Sequence, residues 1–384
     1  GTLLADTRPS YDGKACPYNA DGQSSPDLPS PGDATLVQKA SASSGATATK
    51  FVDQTQSKYD SYGRVVLATR TPRSTAPDGS SLAQSVATSY TPTSGELPTG
   101  TTTATQITPG AACTPTTTSS KDCQVASTGL DAARGVPVTK TDVAGLVTSL
   151  TYDALGRLTG VWLPNENKAN GAPASMTYSY ALSATAPSVV STNTLLDNGS
   201  YSVNETLYDA MLRTLQTQVT AENGSTTVSD TQYDSHGWTV VTNNSYAISG
   251  NPGSSLVSVS QVSIPATTVT DHDAMGRTTR STDEHDGVQT WNTRTAYTGD
   301  RTTVIPPTGA VATTTVTDAR GQKTELDQFT VAPTVSGNAT DGYTTTGGTS
   351  HTTRYGYDAA GHQNKVTGPD NAGWQFGYGP LGRK

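Results

Sequence analysis

Tyr152-Asp153-Ala154-Leu155-Gly156-Arg157 is the stretch on which the fold turns. Asp suits the first position of a type I turn, where its carboxylate accepts a nearby backbone N–H. Gly suits the fourth, where φ can become positive without a Cβ clash. Asp-x-x-Gly therefore predicts one end of a β-hairpin. The preceding Tyr closes the incoming strand with a large amphipathic ring, and the following Arg opens the outgoing strand within reach of a cross-strand carboxylate.

The hexapeptide recurs, and recurrence at this level decides architecture before any domain count. Tyr59-Asp60-Ser61-Tyr62-Gly63-Arg64 repeats it closely. Looser copies begin at Tyr208-Asp209, Tyr233-Asp234, His272-Asp273, Thr317-Asp318, Tyr357-Asp358 and Tyr378-Gly379, which makes eight boxes. The glycine returns as Gly63, Gly237, Gly276, Gly321 and Gly361, with Gly382 in the same place in the last box. The arginine returns as Arg64, Arg213, Arg277 and Arg383, while Trp238, Gln322 and His362 replace it elsewhere. Leu212 stands where glycine belongs after Asp209, and a branched side chain at positive φ is strained, so that turn is expected to take another geometry. The boxes are unevenly spaced, which argues against a strictly regular solenoid.

Asp78-Gly79, Asn170-Gly171, Asn223-Gly224 and Asp286-Gly287 predict two-residue turns at the opposite hairpin ends. Trp291, Thr293, Thr295 and Tyr297 alternate with Thr290, Asn292 and Arg294 as the two faces of one strand. Composition agrees, since 69 of the 384 residues are Thr, a β-branched residue that suits strands and disfavours long helices. Residues 1–50 are Ser/Gly/Pro-rich and read as an irregular lead-in. The repeat region then runs over 51–384, with loop insertions near 91–128 and 330–350.

A net charge of −8 without a Lys/Arg cluster gives no electrostatic footprint for nucleic acid or anionic lipid. No stretch is apolar enough to insert in a membrane, and the first ten residues lack a signal-peptide pattern, so a missing start is expected. Cys113 and Cys123 bound a short Thr/Ser/Pro loop that an oxidising compartment can staple; bonded and free states are both open, and Cys16 has no evident partner. Their spacing fits neither a C-x-x-C redox pair nor a zinc site. An extracellular origin is favoured.

Catalytic patterns are missing, with no G-x-S-x-G, P-loop, H-E-x-x-H or dinucleotide fingerprint. Asp283-Glu284-His285-Asp286 could hold a divalent cation through oxygen ligands, but the Asp286-Gly287 turn accounts for it as a solvated hairpin tip. His236, His272, His285, His351 and His362 are scattered strand or turn residues. The chain is expected to be non-enzymatic, without metal or cofactor. Tyr supplies 17 of its 24 aromatic residues, and exposed rings on sheet faces could stack on sugars.

YDALGRL at 152–158, YDSYGRV at 59–65 and HDAMGRTT at 272–279 resemble the YD repeat of bacterial Rhs (rearrangement hotspot) proteins, shared with teneurins and the TcB/TcC subunits of insecticidal Tc toxins. Residues 296–326 also resemble repeat text of large secreted polymorphic toxins of that family. The resemblance covers nearly everything from about residue 50 onward. It implies an all-β fold of long antiparallel hairpins side by side in a curved, spiralling sheet, an arc of a hollow cocoon. The implied role is a structural shell segment of a secreted toxin. Its implied partners are the remaining shell and a C-terminal toxin domain of the same polypeptide. The alternative is a secreted carbohydrate-binding or adhesion module whose partner is cell-surface carbohydrate. No Asp-Pro dipeptide matches the D-P-x-G self-cleavage motif of that family, so the chain is expected to be a segment lacking closure and cargo.

Overall fold

The computed structural model describes residues 6–12, 32–45, 47–70, 84–95 and 97–379. They form 27 β-strands and two short 3₁₀ turns, with no α-helix among the described residues. The chain divides into two compact units, Gly1–Met176 with Tyr378–Arg383, and Thr177–Gly377 with Lys384.

The first unit is an uninterrupted antiparallel meander. Ten strands, from Thr7–Tyr11 to Leu158–Trp162, are joined by nine pairings, each between one strand and the next in the chain. The composition-based lead-in and loop assignments need correction. Thr7–Tyr11, Ala34–Ser44 and Thr47–Tyr59 are strands within the supposedly irregular first 50 residues. Within 91–128, Gly100–Gln106 pairs residue for residue with Cys123–Leu130, leaving 107–122 as the loop. Within 330–350, Thr334–Asn338 and Gly342–Thr346 form a hairpin. Thr, Ser and Ala fill these segments, and small or β-branched side chains fit a pleated ladder once neighbouring strands supply the backbone hydrogen bonds.

The second unit continues the same scheme from Ser188–Leu195 to Gly373–Gln375, with two excursions. Residues 249–266 leave the sheet between Thr239–Ile248 and Thr267–His272. The hairpin Thr334–Asn338/Gly342–Thr346 is skipped by the main ladder, in which Lys323–Val331 pairs with Thr349–Tyr357. That hairpin instead reaches Val288–Thr298 through one parallel bridge, Ala296 to Tyr343.

A single sheet layer buries little by itself, because each face needs a second layer to exclude water. Among its described residues the first unit buries only Ala40, Ala104, Cys123 and Ala174 of its apolar side chains, none of them large. In the second unit both hydrophobic clusters lie where an excursion meets the sheet. Ile264 packs with Val228 and Tyr246. Ala339 and Tyr343 pack with Ala296. Several buried threonines of this unit pair their hydroxyls, as Thr226 Oγ1 donates to Gly250 O at 2.7 Å and Thr303 and Thr314 share a bond of 2.7 Å.

Two glutamines bind the first excursion as a strap. The Gln216 amide donates to Val257 O and accepts from Val257 N–H, both at 2.8 Å. The Gln218 amide donates to Ser255 O and accepts from Gly253 N–H, also at 2.8 Å. Both side chains are fully buried, so they substitute for a paired strand in satisfying alternate backbone groups of the strap.

Candidate functional site: a ladder of turn boxes

Each box is a small hydrogen-bonded machine built on its aspartate. In the box at 152–157, Asp153 N–H donates to Arg157 O at 2.9 Å and Gly156 N–H to Asp153 O at 3.0 Å, with Gly156 at φ 78°. Asp153 Oδ1 accepts the N–H of Leu155 and of Arg157, both at 2.9 Å, and Oδ2 accepts Arg157 Nε at 2.7 Å. The carboxylate is thus spent within its own turn. Asp60 with Arg64, Asp209 with Arg213 and Asp273 with Arg277 reproduce these contacts. The arginine therefore reaches back four residues to its own aspartate, not to a carboxylate on the strand across.

The variant boxes keep the backbone scheme and change the side-chain partner. His362 Nδ1 meets Asp358 Oδ2 at 3.0 Å, and His236 Nδ1 meets Asp234 Oδ2 at 3.3 Å while its ring stacks on Trp238 at 4.5 Å. Gln322 gives Asp318 only its N–H, at 2.9 Å. Backbone N–H groups of Arg157 and Arg213 are the main reason that Asp153 and Asp209 sit below the ordinary carboxylate range. For Asp60, Asp234, Asp273 and Asp358 desolvation pushes upward, but the hydrogen bonds from the residues two and four ahead outweigh it and the carboxyls again sit low.

Leu212 does not change the turn, contrary to the expectation from its side chain. It adopts φ 60°, with Leu212 N–H donating to Asp209 O and Asp209 N–H to Arg213 O, each at 3.0 Å. The three contacts on the Asp209 carboxylate hold the box against a left-handed residue's penalty of about 1–2 kcal/mol.

A β-bulge follows each of the seven described boxes. Tyr152 pairs with Leu158 but Thr151 with Gly160, so Thr159 is the extra residue. Val66, Leu215, Val240, Thr279, Thr324 and Asn364 occupy the same place in the others.

Successive boxes are stapled together by tyrosine. Tyr233 Oη donates to Thr214 O at 3.0 Å, and the Arg213 guanidinium lies 4.4 Å from the Tyr233 ring centre. Tyr297 does the same over Thr278 and Arg277, and Tyr90 over Val65 and Arg64. Tyr59, Tyr152 and Tyr357 make the hydroxyl bond to Ala34, Pro137 and Lys323. Glycine has a second role here. A Cβ on Gly237 would lie 2.5 Å from Arg213 Nη1, and one on Gly276 would lie 2.8 Å from the Trp238 ring.

Tyr90 and Tyr297 belong to no box and their stapling role escapes sequence reading, as does the turn Asp142-Val143-Ala144-Gly145. That turn repeats the scheme, with Asp142 Oδ1 accepting Ala144 N–H at 2.8 Å and Leu146 N–H at 2.9 Å. Its Asp-x-x-Gly was a usable signal; the aromatic in front of it is missing. His272 and Thr317 end their strands opposite Thr278 and Lys323, as Tyr208 does opposite Thr214. Tyr378 follows the last strand, while Gly382, Arg383, Asp78-Gly79 and Cys16 lie outside the described residues. Asn223-Gly224 is not a two-residue turn: Gly224 N–H donates to Ala221 O, and Ala221 N–H to Ser225 O, as in the boxes. Asp286-Gly287 is one, with His285 opposite Val288 and both turn residues at positive φ. Asn170-Gly171 ends a 3₁₀ turn.

Cys113 and Cys123 are bonded, closing a ten-residue separation. The carboxylate of Asp283 receives Thr268 Oγ1 at 3.0 Å and Trp291 Nε1 at 2.6 Å, so it serves strand pairing. Among the described residues no group of three or more His, Cys, Asp or Glu could hold a metal ion, and no helix is long and apolar enough to cross a membrane.

Residues 133–161, which contain the box at 152–157, match the RHS repeat family. No curated protein matches the chain. Among solved structures it is similar to the crystal structure of TcdB2-TccC3, with 15% identity and a TM-score of 0.64 over 95% of this chain and 20% of that one. The crystal structure of TcdB2-TccC3-Cdc42 is similar at 13% identity and a TM-score of 0.64, over 95% of this chain and 23% of that one. The chain thus spans about a fifth of the length of the chains it matches. Residues 133–161 thus carry an RHS repeat, the boxes on either side share its hydrogen-bonding scheme, and the chain has the fold of those structures along nearly its whole length.

Proposed function

We propose that the chain is a wall segment of a secreted toxin shell, non-enzymatic in itself, which encloses an effector domain carried by the same polypeptide. The observation that carries this reading is the likeness in fold to TcdB2-TccC3 over 95% of the chain. The boxes support it, because their aspartates are consumed in turn geometry and their tyrosines in binding one hairpin to the next. The thin core supports it too, since a ten-stranded layer that buries no large apolar side chain among its described residues calls for cover on its faces.

Electron microscopy of the longest natural polypeptide containing this segment tests the proposal. A hollow particle with density inside is the expected result. A solid or rod-like particle would remove enclosure as the function.

A further inference from the structure

In the second unit, a cleft of about 790 Å³ opens beside the hairpin Thr334–Asn338/Gly342–Thr346, against the strands Thr278–His285 and Val288–Thr298. Arg280 stands opposite Arg294, and Thr282 opposite Asn292, so Arg280, Asn292 and Arg294 share one face of the sheet. Arg280 is already committed, with Nε 2.7 Å from Asp271 Oδ2.

Arg294 is not. Half-buried and 5.8 Å from the centre of the Tyr343 ring, it has neither a hydrogen bond nor an ion pair among the described residues. Every other arginine of this unit has such a partner: Arg213, Arg277 and Arg280 on aspartates, Arg301 on Asp327, Arg354 on Glu325 and Arg320 on Ala359 O. In the open cleft the five donors of Arg294 face solvent, so an acceptor can take them without breaking a hydrogen bond or ion pair within the protein. The neighbouring amides of Asn292 and Gln289 are likewise without side-chain hydrogen bonds among the described residues. One cation and two carboxamides thus converge on an open, water-accessible cleft.

We propose that this cleft binds an acidic saccharide. A uronic acid residue matches the set: Arg294 takes its carboxylate as a two-pronged pair, and Asn292 and Gln289 take ring hydroxyls, to which a carboxamide can donate and accept at once. An acidic peptide fits less well, because alternate backbone groups are read elsewhere in this unit by paired glutamines, and the cleft carries no such pair. The site is independent of the shell reading and stands or falls without it.

Calorimetric titration of the whole chain with a hexuronate disaccharide, its neutral hexose counterpart, inorganic phosphate and a glutamate-containing peptide tests the assignment. The hexuronate is expected to bind, and the neutral sugar, phosphate and peptide to bind at least ten-fold more weakly. Arg294→Met should weaken hexuronate binding ten-fold or more while leaving the unfolding temperature unchanged, and Asn292→Ala should weaken it several-fold. No binding of hexuronate, equal binding of any of the three controls, or full binding by R294M would each overturn the proposal. The comparison of ligands on the unaltered protein decides the matter even if R294M does not fold.

Discussion

Leu212 and Gly237 occupy the same place in consecutive boxes and bracket what the turn demands. Leu212 is exposed, so Leu212→Gly removes left-handed strain without opening a cavity and is expected to stabilise the second unit by about 1 kcal/mol in denaturant unfolding. Gly237→Ala puts a Cβ against Arg213 at a φ of 87° and is expected to destabilise by about 1–3 kcal/mol. Box carboxyls that sit low in the folded chain contribute stability fully present above the unfolded Asp pKa of about 4, and lost as pH falls through their lower folded values. Thermal unfolding between pH 2 and 7 should therefore show a flat upper range and a decline below about pH 4 that is shallower in Asp153→Asn. The Asp-x-x-Gly turn was legible because its bonds close within five residues. Tyr90 and Tyr297 were not legible, because the carbonyl and arginine they meet lie on a neighbouring hairpin. For Leu212 the side-chain preference was read correctly, but it lost to the Asp209 carboxylate contacts around it.

At the scale of elements, sequence reading found the box-bearing hairpins and missed segments whose composition imitates a linker. Thr334–Asn338 and Gly342–Thr346 are Thr- and Gly-rich, and their single apolar contact set, Val335, Ala339 and Tyr343, acquires meaning only against Ala296. The strap at 249–266 was equally silent, since its backbone is recognised by two glutamines some 40 residues upstream, a pairing that its own Val257, Val259, Val262 and Ile264 do not announce. Gln216→Ala removes three hydrogen bonds of about 1 kcal/mol each. Its expected signature is amide exchange at Val257 faster by about ten-fold or more, with the strands on either side unchanged. The disulfide should act as locally, for closing so short a loop is worth about 2–3 kcal/mol. Reduction is expected to expose residues 107–122 to proteolysis before the strands that flank them.

Across the whole molecule, folding has concentrated the apolar contacts where excursions cover the sheet and left the first unit without a large buried apolar side chain among its described residues. An isolated preparation of this chain is expected to gain mass with concentration in light scattering, as uncovered sheet faces and edges find one another. A clean monomer at high concentration would show that the layer tolerates water on its own.

The meander also sets an order of events. Because almost every strand pairs with its immediate predecessor, a chain emerging from a ribosome or a secretion channel can zip up strand by strand, closing a local connection at each step. Among the described strands the open edges at any moment are the first, Thr7–Tyr11, and the youngest, which the next hairpin covers. The exception is Lys323–Val331, whose partner Thr349–Tyr357 arrives only after the side hairpin has been made. That strand must wait, and a pause in delivery there would leave the growing sheet most exposed to pairing with a stranger.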